Sequence, residues 1–159
     1  MVVPSANVLE NCYAAGEVKI IKTAATTGIT SAGGLVGLWR KGTIKNCAVL
    51  GASVVATGGS SPAAGRIYGS SGGGSGFGSA MNNYGNADMY VGATNPVTVT
   101  GSTDNNNKHG ADTPYTNFAN AYWWRSSPQF NETNWDFINT PYRFRPAVKD
   151  TKGVVMIGQ

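Results

Sequence analysis

Charged residues make up only 13% of this chain, which has two cysteines, one histidine and no long apolar run. Each scarcity removes a class of function. The 12 Lys and Arg residues are scattered, with Arg40-Lys41 as the adjacent basic pair, so no basic stripe follows a phosphate backbone and nucleic acid is not an expected partner. No segment approaches the roughly 18 apolar residues that cross a bilayer, so this segment is not expected to insert into a membrane. Two cysteines and one distant histidine are too few for a metal site, and no metal or cofactor is expected. The glycine-rich run Gly72-Gly73-Gly74-Ser75-Gly76 lacks the Lys-Ser/Thr of a phosphate loop and the strand-to-helix setting of a nucleophile elbow, and reads as a flexible connection.

Acids are equally sparse, at eight. Aligning the repeats described below puts Glu17 and Asp88 in one outward column with Ser53 between them. That is the best acidic pair on offer, and it reads as two solvated surface carboxylates rather than a glycosidase pair. His109 lies in a polar loop and reads as solvated. Asp104-Asn105-Asn106-Asn107 with Asp112 misses the EF-hand spacing and reads as Asx turns. No catalytic residue set is expected.

What the chain does contain is glycine, neutral polar residues and repetition. Gly accounts for 22 of 159 residues and apolar types for 41%, a profile that suits an extracellular β protein with a packed core. Asn11-Cys12-Tyr13 recurs as Asn46-Cys47-Ala48 and, more loosely, as Asn83-Tyr84. Ala32-Gly33-Gly34-Leu35-Val36-Gly37 reappears 32 positions later as Ala64-Gly65-Arg66-Ile67-Tyr68-Gly69. The side-chain period is two, and turn signals such as Arg40-Lys41-Gly42 and Gly58-Gly59-Ser60 divide the runs. Three short strands per unit of about 30 residues predict a short right-handed parallel β-helix, or β-solenoid, of about three rungs.

The alignment predicts the stacked columns: Leu9, Ile44 and Met81; Cys12, Cys47 and Tyr84; Val18, Val54 and Met89; and Leu35 over Ile67. Asn11, Asn46 and Asn83 form an expected amide ladder. Cys12 and Cys47 fall at one repeat position and are read as free thiols in a dry column, with a disulfide between rungs as the alternative in an oxidising compartment.

Ten aromatic residues crowd into positions 115–144. They predict an aromatic-rich C-terminal cap covering the last rung, with one short helix over 114–123. The chain thus divides into rungs with loop insertions over 1–112 and a capping segment over 113–159, within one structural domain. Trp39 beside Arg40, and Trp123-Trp124-Arg125, are the candidate binding residues, because aromatic rings next to polar groups suit sugar stacking or protein contact. For Trp123 and Trp124, packing inside the cap is the favoured alternative.

The segment Ala32-Gly33-Gly34-Leu35-Val36-Gly37, followed by Gly42-Thr43-Ile44-Lys45-Asn46-Cys47, resembles the GLUG motif of repeat-containing bacterial surface proteins. Ala64 to Gly69, Asn82-Asn83-Tyr84, Trp135-Asp136-Phe137 and Pro141-Tyr142 resemble the terminal repeat and closing segment of such proteins. The resemblance implies an adhesin-like, cell-surface or secreted module, monomeric, that contacts a host or bacterial glycan or surface protein without catalysis. The alternatives are a fragment of a β-helical carbohydrate-active enzyme or a purely structural stalk. Met1-Val2-Val3-Pro4-Ser5 has no basic region leading into an apolar core, while Val8 to Cys12 enters in mid-repeat. The chain is therefore expected to be the C-terminal portion of a longer protein whose export signal lies upstream.

Overall fold

The structure is a computed structural model that describes residues 7–23, 27–72, 78–92, 97–99, 101–137, 147–149 and 155–156. All of the glycine-rich connection but Gly72, and Pro141-Tyr142, lie outside the described residues. The chain is all-β with parallel sheets. Its first pass runs through β1 (Val8–Glu10), β2 (Tyr13–Ala14), β3 (Val18–Ile21), β4 (Ile29–Gly33) and β5 (Val36–Trp39). The second repeats this order as β6 (Thr43–Lys45), β7 (Ala48–Val49), β8 (Ser53–Thr57), β9 (Ser61–Gly65) and β10 (Tyr68–Ser71). The third contains β11 (Ser79–Met81), β12 (Tyr84–Asn86) and β13 (Tyr90–Gly92), and is followed by β14 (Val97–Thr98) and β15 (Ala111–Thr113).

Pairing is between equivalent strands of successive passes. The parallel sheets are β1-β6-β11, β2-β7-β12-β15, β3-β8-β13, β4-β9 and β5-β10, with β14 added antiparallel on β13. Each full pass therefore holds five strands rather than the three expected. One of the extra strands in each pass, β4 in the first and β9 in the second, is a Ser- and Ala-containing segment without a clear apolar alternation. Partners such as Asn46 and Asn82 are 36 residues apart, whereas Gly33 pairs with Gly65, because the connection between β3 and β4 is longer than that between β8 and β9.

The first two passes stack as the sequence predicts, with Leu9 on Ile44, Val18 on Val54, and Leu35 donating its backbone N–H to the Ile67 carbonyl at 3.1 Å. The third pass corrects three columns. Ala80, not Met81, lies over Ile44; Asn83, not Tyr84, follows Cys47; and Val91, not Met89, lies over Val54. The cause is a shared corner. Asn11, Asn46 and Asn82 adopt left-handed φ of 52°, 55° and 54°, a conformation that asparagine tolerates better than other side-chain-bearing residues. With Asn82 in the ladder, Met81 turns outward and is 42% exposed.

Asn83 then takes the inner cysteine position, fully buried. Its amide donates to Ile44 O at 2.9 Å and its carbonyl accepts from Cys47 N at 3.2 Å, so the polar side chain is satisfied by the layer beneath. Met89 remains fully buried within the core without being the strand partner of Val54. The main core runs through Ala32, Ile44, Cys47, Val49, Val54, Ala56, Ile67, Met89 and Val91.

Close approach of layers accounts for the glycine motif. A Cβ on Gly33 would collide with the Val36 carbonyl and stand 2.7 Å from Gly69 N. Gly33→Ala is expected to cost about 1–3 kcal/mol, read as a lowered thermal midpoint, since backbone atoms on two layers must yield.

The aromatic segment forms a 3-10 turn (Tyr115–Ala119) and helix α1 (Ala121–Ser126), close to the expected helix but interrupted at Asn120. The Asn120 side chain accepts from the Tyr122 and Trp123 N–H groups at 2.9 and 3.3 Å and starts the new helix as its N-cap. Beyond it, β16 (Trp135–Asp136), β17 (Ala147–Lys149) and β18 (Val155–Met156) make a small antiparallel sheet. This segment does not lie only over the last layer. Phe118, Trp123, Trp124, Phe130 and Phe137 pack with Tyr13, Ala48, Leu50 and Tyr84, which come from all three passes, so they cover the outer flank of the β2-β7-β12 sheet.

The end of the stack is covered instead by residues 101–113. Lys108 O accepts from Ile67 N and Asn105 O accepts from Asn83 N, both at 2.9 Å, and β15 pairs on β12. Arg66, 0% exposed, fastens this loop. It donates to the carbonyls of His109, Gly85, Asn86 and Gly110 at 2.8, 3.4, 3.0 and 3.0 Å, and to Asp112 Oδ1 at 2.5 Å. Those bonds use all five guanidinium N–H groups. Arg66 stands where the first repeat has Gly34, and its guanidinium fills the space left by the missing side chain of Gly85.

Candidate functional site

The ladder corner and the flank segment together make an open cavity of about 310 Å³ lined by Glu10, Asn11, Asn131, Asn134 and Trp135. Glu10 ends β1 and Asn11 is the first left-handed corner, so both are fixed by the stack. The opposite wall is held to that corner by amides: Asn11 Nδ2 donates to Gln129 O at 2.9 Å, and Asn82 Nδ2 donates to Ser127 O at 2.7 Å and to Asn46 Oδ1 at 2.8 Å. The ladder thus docks the segment after α1. Within the wall, Asn131 O accepts from Trp135 N at 3.2 Å and Asn131 Oδ1 from Asn134 N at 3.0 Å, which sets both side chains on one short turn.

Trp135 is half-buried, its indole backed by Phe130 at 4.8 Å and Tyr13 at 5.6 Å. The Glu10 carboxylate sits 3.0 Å from Lys45 Nζ and accepts from Asn46 Nδ2 at 3.4 Å. One paired carboxylate, three amides and an indole offer hydrogen bonds to hydroxyl groups and an apolar ring face. They do not offer the two facing carboxyl groups that glycosidic cleavage uses.

The residues singled out from sequence lie elsewhere, in two separate clusters. Trp39 belongs to the main core at 9% exposure, packs on Tyr68 at 4.9 Å and donates from Nε1 to Lys41 O, while Arg40 beside it is exposed. Trp123 and Trp124 are 8% and 1% exposed within the flank cluster. Trp123 meets Tyr84 at 5.4 Å, and Trp124 meets Tyr13 and Phe130 and donates from Nε1 to Phe118 O, so packing accounts for both rings. Arg125 is engaged by Glu132 at 2.8 Å and lies over the Phe137 ring at 5.0 Å.

Glu17 and Asp88 do not share a column: the register that pairs Val18 with Val54 places Ser53 opposite Tyr90, and Asp88 belongs to the turn before it. Among the described residues, no group of three or more His, Cys, Asp and Glu side chains gathers as a metal ion would need. Asp104 and Asn107 accept backbone N–H groups within their own turns, and Asp112 holds Arg66 and Ser102 N. No helix among the described residues is long and apolar enough to cross a membrane.

His109 is not the solvated loop residue expected. Burial, with help from the Lys108 and Arg66 charges, lowers its pKa to about 4, and its Nδ1 is buried without a hydrogen-bond partner among the described residues. A histidine whose folded pKa lies below its ordinary value of about 6.5 favours the fold when neutral. Its contribution is complete above about pH 6.5 and is lost as pH falls toward 4. After allowance for solvent screening of a half-exposed ring, the loss is about 1 kcal/mol. Thermal midpoints at pH 7 and pH 4.5 should therefore fall further apart for the native chain than for His109→Gln.

No family model matches the chain, and comparison with curated proteins and with solved structures returns no match.

The cavity was invisible in the sequence because its two walls are some 120 positions apart. Glu10 is one acid among eight and Asn11 a ladder residue, with no local sign that Asn131 and Asn134 face them. The closing Trp135 was the one local signal.

Proposed function

We propose that this chain is a short right-handed parallel β-helix of the GLUG-repeat kind, working as a non-catalytic, adhesin-like module at a bacterial cell surface or in secreted form. It presents the groove at Glu10, Asn11, Asn131, Asn134 and Trp135 to a glycan. That groove is the observation that carries the reading: planar amides and a carboxylate around a half-buried indole match the mixed hydroxyl and C–H faces of a sugar. Its volume of about 310 Å³ is at the small end for ligand sites and suits one or two sugar rings. A stiff parallel stack carries the groove, so little ordering entropy is lost on binding. The sparse charge and neutral polar surface agree with an extracellular setting, and the chain acts as a monomer.

The test is glycan-array binding by the whole chain, followed by titration of the best binder against Trp135→Ala. Loss of the ring platform is expected to weaken binding about tenfold or more with the far-ultraviolet circular dichroism spectrum unchanged. An array with no binder, or equal affinity for the two proteins, would remove the groove from the account.

A further inference from the structure

Cys12 and Cys47 stand directly opposite one another on adjacent layers. Tyr13 pairs with Ala48 and Glu10 with Lys45 in one continuous parallel register, and Ala48 N donates to Cys12 O at 3.0 Å. Both thiols face inward: Cys47 is in the main core and Cys12 packs against it, half-buried. The Cys47 thiol leans toward the first layer, contacting Leu9 O at 3.7 Å as well as Lys45 O at 3.1 Å. Neighbouring parallel strands are about 4.8 Å apart, inside the Cα range of about 4.4–6.8 Å that a disulfide accepts. The third layer has Asn83 at this position, so no third thiol competes.

We infer that Cys12 and Cys47 form a disulfide when the protein meets a low-molecular-weight disulfide such as oxidised glutathione, tying the first layer to the second. The Cys12 thiolate, nearer to solvent, attacks the glutathione disulfide, giving a mixed disulfide and one glutathione. The Cys47 thiolate then attacks the Cys12 sulfur and displaces the second glutathione. Two protons and two electrons leave the protein thiols, and the glutathione disulfide is reduced to two thiols. Burial pushes the Cys47 thiol up to about 12, so the second step is the slower one and speeds up with pH. The inference rests on the proposed extracellular setting only for where the oxidant is encountered.

The whole native chain, incubated with oxidised glutathione at pH 8.5 and then alkylated, should show an intact mass two hydrogens lighter than the reduced chain and no alkyl label. Peptide mapping should find Cys12 joined to Cys47. Cys47→Ser should stop at a glutathione adduct on Cys12, while Cys12→Ser should react far more slowly. The closed form should melt about 5–10 °C above the reduced form, a gain abolished by reductant. The same oxidation in denaturant confirms that the oxidant is active. Two free thiols, a persistent adduct on Cys12, or a covalent dimer of the native chain would each overturn the inference. None of these readouts depends on glycan binding, so failure here and failure of the groove are separate results.

Discussion

Arg66→Ala should lower the stability of this protein by about 3–5 kcal/mol, seen as a fall of roughly 10 °C in its thermal midpoint at pH 7. The substitution removes a donor from each of the carbonyls of His109, Gly85, Asn86 and Gly110 at once, of which Asn86 O keeps Met89 N and Gly110 O keeps Ser102 Oγ, and it leaves the Asp112 carboxylate without its cation. It also empties the space above Gly85 that the guanidinium fills. Leaving buried acceptors unpaired costs more than the net worth of the bonds themselves. Arg66→Lys should recover only a minor part, since one ammonium cannot supply five fixed donors. Asp112→Asn should cost less, about 1–2 kcal/mol, because that carboxylate is 24% exposed and still held by Ser102 N. Equal effects of Arg66→Ala and Asp112→Asn would mean that the ion pair alone, rather than the fan of carbonyls, fastens the loop.

Trp124→Ala should produce a loss of similar size, about 3–5 kcal/mol, by a different route. The indole is 1% exposed and lies between Tyr13, Phe118, Trp123 and Phe130, with Nε1 donating to Phe118 O. Its removal opens a cavity on the flank of the sheet and leaves that carbonyl unpaired. The near-ultraviolet circular dichroism of the aromatic cluster should collapse while the far-ultraviolet strand signal persists, because the parallel layers keep their own core. Trp124→Phe should lose less than half as much stability. A full loss of strand signal with Trp124→Ala would show that the flank segment holds the stack together rather than covering it.

The two repeats that were legible in sequence were those with unbroken local patterns. Asn-Cys at 11–12 and 46–47, and the paired glycines at 33 and 65, stack as their spacing predicts because each satisfies one demand: a left-handed corner, a dry inner position or a close backbone approach. The third pass misled because Asn82-Asn83 offers two asparagines for one corner. Backbone conformation selects Asn82, and Asn83 enters the core, where a polar residue is unexpected until its bonds to Ile44 O and Cys47 N are seen. The role of Arg66 is not legible in the sequence either. A lone arginine inside a glycine motif carries no sign that carbonyls 19 to 44 positions away converge on it. The candidate groove required the flank segment to fold back from residue 131 onto residue 11, a contact that no local periodicity encodes.

Inter-strand nuclear Overhauser contacts in the intact protein test the central claim most directly. The account predicts amide-to-Hα contacts in parallel register linking Leu9 with Ile44, Ile44 with Ala80, and Val18 with Val54 and Val54 with Val91. Contacts that instead join strands adjacent in sequence, such as β5 with β6 or β7 with β8, as antiparallel hairpins would contradict it.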